Sequence, residues 1–147
     1  MAQLRRAESA DDAGWLERRR SLWADVPDTA HRTEMAAIVA QHERYAAFLI
    51  DVGGRTVAFA EAALRHEYVN GTTSSPVVFL EGLAVAPDAW RRGHARGLVE
   101  AVAAWGRSLG CSELASDAHA DNAAGILAHR AVGFEETERV VYFRMPL

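Results

Sequence analysis

Cysteine occurs once in this 147-residue chain, at position 111, so no intramolecular disulfide is available. The histidines at 31, 42, 66, 94, 119 and 129 do not fall with Cys111 into any zinc-ligand spacing, which argues against a bound metal. No apolar run approaches the roughly 20 residues that a helix needs to cross a bilayer. The N-terminal Met-Ala-Gln-Leu-Arg-Arg-Ala-Glu lacks an apolar secretory core, so the expectation is a cytoplasmic protein with no membrane partner. Lysine is missing too: all 16 basic residues are arginine, which reads as genomic composition bias. No Gly-x-x-x-x-Gly-Lys-Ser/Thr is present, and no Gly-x-Gly-x-x-Gly opens a helix near the N-terminus, which excludes the two commonest nucleotide loops. A net charge of −4 disfavours a general nucleic-acid binder and suits a cationic substrate.

What is present is enough apolar sequence, 50% by the broad count, for one core. A chain of this length buries about 70% of the surface it exposes when unfolded, and one domain spanning 1–147 is expected. Its most informative stretch is Phe79-Leu80-Glu81-Gly82-Leu83-Ala84-Val85-Ala86-Pro87, followed by Arg91-Arg92-Gly93-His94-Ala95-Arg96-Gly97-Leu98. An apolar strand feeds a basic loop and then a helix. The free N–H groups and positive dipole end of that helix suit a pyrophosphate, and the arginines add charge. The bland alternative is a strand-to-helix turn with solvated arginines.

The spacing of apolar residues gives the order of elements. Residues 3–6 read as a strand, and Ser9, Asp11 and Asp12 are candidate caps for a helix carrying Trp15, Leu16, Leu22 and Trp23. A second helix over 29–40 turns Met35, Ile38 and Val39 inward. Strands at 45–52 and 55–64 are joined by Gly53-Gly54, a two-residue hairpin signal. Residues 65–76 are polar and turn-rich, and 77–85 form the fourth strand. In the helix that follows, Leu98, Val102, Trp105 and Leu109 make one stripe that stops at Gly110. A fifth strand at 113–117, a helix at 121–131 and a last strand at 138–145 complete the chain.

This order, together with Gly93-x-Ala95 after a strand and Asn122 ahead of Gly133-Phe134, resembles the GNAT acetyltransferases. Trp90 stands where that family usually has Arg or Gln. Within it, Arg65-His66-Glu67-Tyr68-Val69-Asn70-Gly71, Ser74 to Gly82, Ala115-Ser116-Asp117 and Gly133 to Val140 resemble the aminoglycoside 6'-N-acetyltransferases. The resemblance implies an α/β (α+β) fold: a mixed, mostly antiparallel sheet of six to seven strands, flanked by about four helices and splayed between strands 4 and 5. It implies acetyl-CoA as cosubstrate, an aminoglycoside as partner, antibiotic resistance as outcome and a homodimer.

By the same resemblance, Leu83, Ala84 and Val85 offer a strand edge to the pantetheine arm. Arg91, Arg92, Gly93, His94, Ala95 and Arg96 hold the pyrophosphate, and Asn122 reaches the pantetheine region. Trp23, Tyr68, Glu81, Asp117 and Glu138 bind the amino sugar. The incoming amine is largely protonated at neutral pH, so a base must accept its proton, and Glu81 is the first candidate. Many GNAT enzymes place a thiolate-protonating tyrosine four residues before the Gly-Phe pair; here His129 stands there. Gly82 suits a bulge. Two rivals remain: another GNAT activity on a polyamine, small amine or protein N-terminus, and a binding module for CoA or antibiotic that releases no thiol.

Overall fold

A computed structural model describes residues 1–147. Strands β1 (Ala2–Arg6), β2 (Tyr45–Val52), β3 (Arg55–Arg65), β4 (Val77–Val85) and β5 (Leu114–Ala115) lie in that order in one sheet. Neighbours from β1 to β4 are antiparallel, and β5 joins β4 in parallel. Helices α1 (Ala13–Leu22), α2 (Asp28–Ala40), α3 (His94–Ser108) and α4 (Ala123–Ala131) complete the α/β architecture.

Local chemistry explains the boundaries. Gly53 and Gly54 sit at φ 58° and 78°, the left-handed pair that a tight hairpin between β2 and β3 requires. Asp12 caps α1 by accepting the Trp15 N–H at 3.0 Å. Side chains alternate across the sheet, so each face has its own helices. Phe48, Ile50, Ala58, Ala60, Ala62, Val78 and Leu80 pack with Leu98, Val99, Val102 and Trp105 of α3. On the opposite face Ala47, Leu49 and Phe59 meet Trp15 and Leu16 of α1 and Met35 of α2. Close approach of α3 depends on Gly106, where a Cβ would run into the Val78 side chain.

Two irregularities position the site. Glu61 pairs with Gly82 and Ala62 with Leu80, so Glu81 is the extra residue of a β-bulge. The bulge falls one residue before the glycine, and Gly82 is needed for another reason given below. On its other edge, β4 pairs with β5 only at Val78↔Leu114 and Phe79↔Ala115. From Leu80 onward that edge has no strand beside it, which is the splay between strands 4 and 5.

The sheet has five strands, not six or seven. The strand expected at 113–117 shrinks to its two paired residues. The strand expected at 138–145 is not formed, and Val141, Tyr142, Phe143 and Met145 are 77%, 80%, 92% and 81% exposed. Alternation gives a segment its two faces but does not choose an edge for it, and residues 138–145 pair with no strand of the sheet.

Candidate active site

Beyond β4 the chain makes a 3-10 turn at Pro87–Ala89, and the exposed Trp90 donates its Nε1–H to the Val85 carbonyl at 2.7 Å. The indole thus ties the loop to the end of the strand. Arg91 and Gly93 adopt φ 63° and 82°, which swings the backbone into α3. Gly93 is the N-cap and offers no side-chain acceptor, so the first N–H groups of α3, from His94, Ala95 and Arg96, remain open. Arg91 and Arg92 are exposed beside them. Arg96 is partly committed elsewhere, since its Nη2 donates to the Ala131 carbonyl at 2.8 Å and ties α3 to the end of α4. Next to the loop, a cavity of about 250 Å³ is lined by Val52, Arg55, Val57, Asp88, Arg92 and His94. The bare helix N-terminus and the unpaired β4 edge at Leu83, Ala84 and Val85 are what a pyrophosphate and an amide-bearing arm would need.

The acidic residues gather unevenly. Glu81, put out of register by the bulge, accepts from Arg65 Nη2 at 2.7 Å. The Arg65 guanidinium in turn lies 3.7 Å from the Phe79 ring centroid. Asp117 is exposed just past β5, where its neighbour Ser116 reaches back to the Leu80 carbonyl at 3.2 Å, one residue from Glu81. Glu138 is exposed and lies by the 66–76 loop, its Cγ 3.9 Å from where a Cβ on Gly71 would sit. Tyr68, in the same loop, is 74% exposed. Glu113 anchors this loop by accepting the Thr73 N–H at 2.9 Å and the Ser74 hydroxyl, bonds that hold its carboxyl below the usual range. Trp23 comes directly to the bulge: a Cβ on Gly82 would lie 2.6 Å from its Cζ2 and Cη2 atoms. Glycine is required there for the indole, and not for backbone conformation.

His129 on α4 is held at both nitrogens. Nδ1 is 2.6 Å from the Gly125 carbonyl, which only accepts, so Nδ1 carries a proton. Nε2 is 2.8 Å from Ser116 Oγ, and Phe134 meets the ring edge-on at 5.3 Å. Ser116 thereby links His129 to the opened edge of β4. Asn122 caps α4 by accepting the Gly125 N–H at 3.0 Å, a structural task besides the one expected of it. Cys111 is buried and burial pushes its thiol up, which disfavours a thiolate nucleophile. No cluster of His, Cys, Asp and Glu is grouped to hold a metal ion.

Residues 13–134 match the acetyltransferase (GNAT) family. The chain belongs to that family. This GNAT chain is 50% identical over 144 residues to an aminoglycoside N(6')-acetyltransferase type 1 of Stenotrophomonas maltophilia, covering 98% of this chain and 93% of that protein. It is 45% identical over 130 residues to the protein of the same name from Salmonella typhimurium, covering 88% and 89%. Among solved structures it superposes on AAC(6')-Iy in complex with the bisubstrate analogue CoA-S-monomethyl-acetylneamine with a TM-score of 0.94 at 40% identity, covering 100% of this chain and 99% of that one. AAC(6')-Ih from Acinetobacter baumannii gives 0.94 at 40% identity with the same coverage.

One group near the GNAT site escaped the sequence reasoning. Arg19 of α1, Glu61 of β3 and His31 of α2 are 2%, 4% and 0% exposed. The visible signal was Glu61 itself, the lone acid inside the apolar run Thr-Val-Ala-Phe-Ala-Glu-Ala-Ala-Leu.

Proposed function

We propose that this GNAT domain transfers acetyl from acetyl-CoA to the 6'-amine of aminoglycoside antibiotics, by direct attack in a ternary complex, and so confers resistance. The observation that carries the reading is the bulge in β4. It turns Glu81 out of the sheet at the point where the strand edge opens and the Trp23 indole approaches, and the glycine-capped helix lies just beyond. Bound acetyl-CoA supplies the activated acyl group. Leu83, Ala84 and Val85 offer the strand edge for its arm, with a backbone N–H of Leu83 or Ala84 facing the acyl oxygen. Arg91, Arg92, Gly93, His94 and Ala95 receive the pyrophosphate, with Arg96 bracing the helix, and Asn122 borders the arm.

Glu81, Asp117 and Glu138 supply negative charge for the ammonium groups of the drug, and Trp23 and Tyr68 supply flat surfaces. Glu81 takes the proton of the incoming amine. His129, steadied by Gly125 and Ser116, returns a proton to the departing thiolate. The enzyme acts in the cytoplasm, where acetyl-CoA is found.

A homodimer accompanies this reading. The exposed apolar segment around Val141, Tyr142 and Phe143 and the outer edge of β5 are each unpartnered, and a second copy supplies both with what they lack. Removal of residues 140–147 should convert the dimer to a monomer in light scattering.

The deciding experiment compares CoA-thiol release with neomycin, which bears a 6'-amine, and paromomycin, which bears a 6'-hydroxyl. Release with neomycin alone supports the reading. Release with both moves the reacting amine elsewhere on the drug, and release with neither overturns the proposal.

A further inference from the structure

We infer that Arg19 and Glu61 are positioning residues for the acceptor pocket: the clamped guanidinium holds the Trp23 indole against Gly82. The inference rests on Trp23 being an acceptor contact.

Glu61 and Gly82 are cross-strand partners, so both face α1. Both Glu61 oxygens accept from Arg19 Nη1, at 2.5 and 2.6 Å, and Oε2 also accepts the Trp15 indole N–H at 2.8 Å. Arg19 Nε donates to His31 Nδ1 at 3.1 Å, and Nη2 pairs with Glu34 at the surface. Every nitrogen of the guanidinium is therefore engaged, and its plane is fixed.

Its Cζ then lies 4.8 Å from the centroid of the Trp23 ring. Phe59 meets that ring from another side, edge-on at 5.8 Å. Trp23 is also the residue that closes α1, donating its N–H to the Arg19 carbonyl at 2.8 Å. The indole is thus bounded by cation, aromatic edge and glycine, and the chain leaves the helix immediately afterward, with Ala24 and Asp25 exposed.

A buried ion pair is a poor way to gain stability, because desolvation offsets most of the attraction, and well-packed apolar residues fill such space at least as well. Burial pushes the Glu61 carboxyl up, against the pull of Arg19 and Trp15. What the pair provides, and methionine or leucine would not, is a flat cation of fixed orientation beside an indole. Lysine keeps the charge but has neither the fork nor the face.

The test is a double-mutant cycle on KM for neomycin, with KM for acetyl-CoA and the melting temperature measured in parallel. Arg19→Met should raise the neomycin KM about fivefold and leave the acetyl-CoA KM within about twofold. In a Trp23→Ala background the same substitution should add nothing, because the group it acts through is gone. Arg19→Lys should fail to restore the neomycin KM. If Arg19→Met does not fold, Arg19→Lys and the near-isosteric Glu61→Gln enter the same cycle.

Equal effects of the Arg19 substitution with and without Trp23, or a parallel rise in both KM values, would overturn the positioning role and leave Arg19 and Glu61 as fold stabilisers. No effect of Trp23→Ala on the neomycin KM would remove the contact on which the inference rests. Neither result touches the choice of acceptor amine, which the neomycin and paromomycin comparison decides separately.

Discussion

Arg65 occupies the carboxylate that the proposed substrate needs. Its guanidinium lies 2.7 Å from Glu81 and rests on Phe79, so a substrate ammonium approaching Glu81 must displace a cation already in place. The two side chains are 41% and 38% exposed, which makes this a solvent-screened pair. Such pairs contribute about 0–1 kcal/mol. At the upper end that is a factor of about five in an equilibrium constant. Arg65→Ala should accordingly lower the neomycin KM by about two- to fivefold in low-salt buffer. The gain should fade as salt rises toward about 1 M, where the screening length falls to about 3 Å. The acetyl-CoA KM should not move. Initial rates of thiol release, at saturating acetyl-CoA and varied neomycin, give the first number, and the reverse arrangement gives the second. An unchanged or higher neomycin KM would refute the competition and leave Arg65 as a support for Phe79.

Asp117→Asn should raise the neomycin KM more than the acetyl-CoA KM; equal effects would move Asp117 out of the acceptor pocket. At the other end of the sheet, Arg5 and then Thr56 hold the Asp51 carboxyl below its usual range. The stability this contributes is present above the ordinary aspartate pKa of about 4 and is lost as pH falls through the lower native value. Asp51→Asn should therefore melt lower than the parent at neutral pH and lose less on acidification, and thermal melts from neutrality into acid that stay parallel would contradict this. Gly106→Ala drives a methyl into Val78 of β4. Overpacking of this kind costs about 1–3 kcal/mol, with a fall in Tm of about 2–4 °C for each kcal/mol, measured by calorimetry; an unchanged Tm would mean that α3 has room to shift.

Local signals carried far in this chain. The Gly53-Gly54 pair and the alternation on either side placed β2 on its observed residues and β3 within one residue of its end. The apolar run from Val77 to Val85, broken only by Glu81 and Gly82, matches β4 residue for residue. The order of such elements, together with Gly93-x-Ala95 and Asn122 ahead of Gly133-Phe134, carries the resemblance that implies the GNAT fold.

What depended on distant partners did not show. Arg19 and Glu61 are 42 residues apart, and neither flanking sequence hints at the other. The Arg65 hold on Glu81 crosses from β3 to β4 and was equally invisible. Gly82 suits a bulge and does border one, but the approach of the Trp23 indole that demands a glycine there is not written near it, because a glycine signals small size without saying what approaches it. The segment at 138–145 has the composition of a strand, but hydrogen bonds in a sheet belong to pairs of strands, and a single sequence describes only one member of a pair.

The extra residue in β4 has a consequence for how this enzyme tolerates change. Up to Leu80 the even-numbered residues Val78 and Leu80 look toward α3; beyond the bulge the odd-numbered Leu83 and Val85 do so, and Ala84 looks toward α1 and α2. The strand is read in two frames, with Glu81 as the shift between them. Replacing Glu81 changes one side chain. Deleting it would remove the bulge and let β3 and β4 pair in one regular register, with Leu83 and Val85 still against α3 and Ala84 still toward α1 and α2. The bulge thus adds nothing to the packing of the strand: its one product is a carboxylate presented where the edge of β4 opens, and that carboxylate can be exchanged or lost without disturbing either face of the sheet.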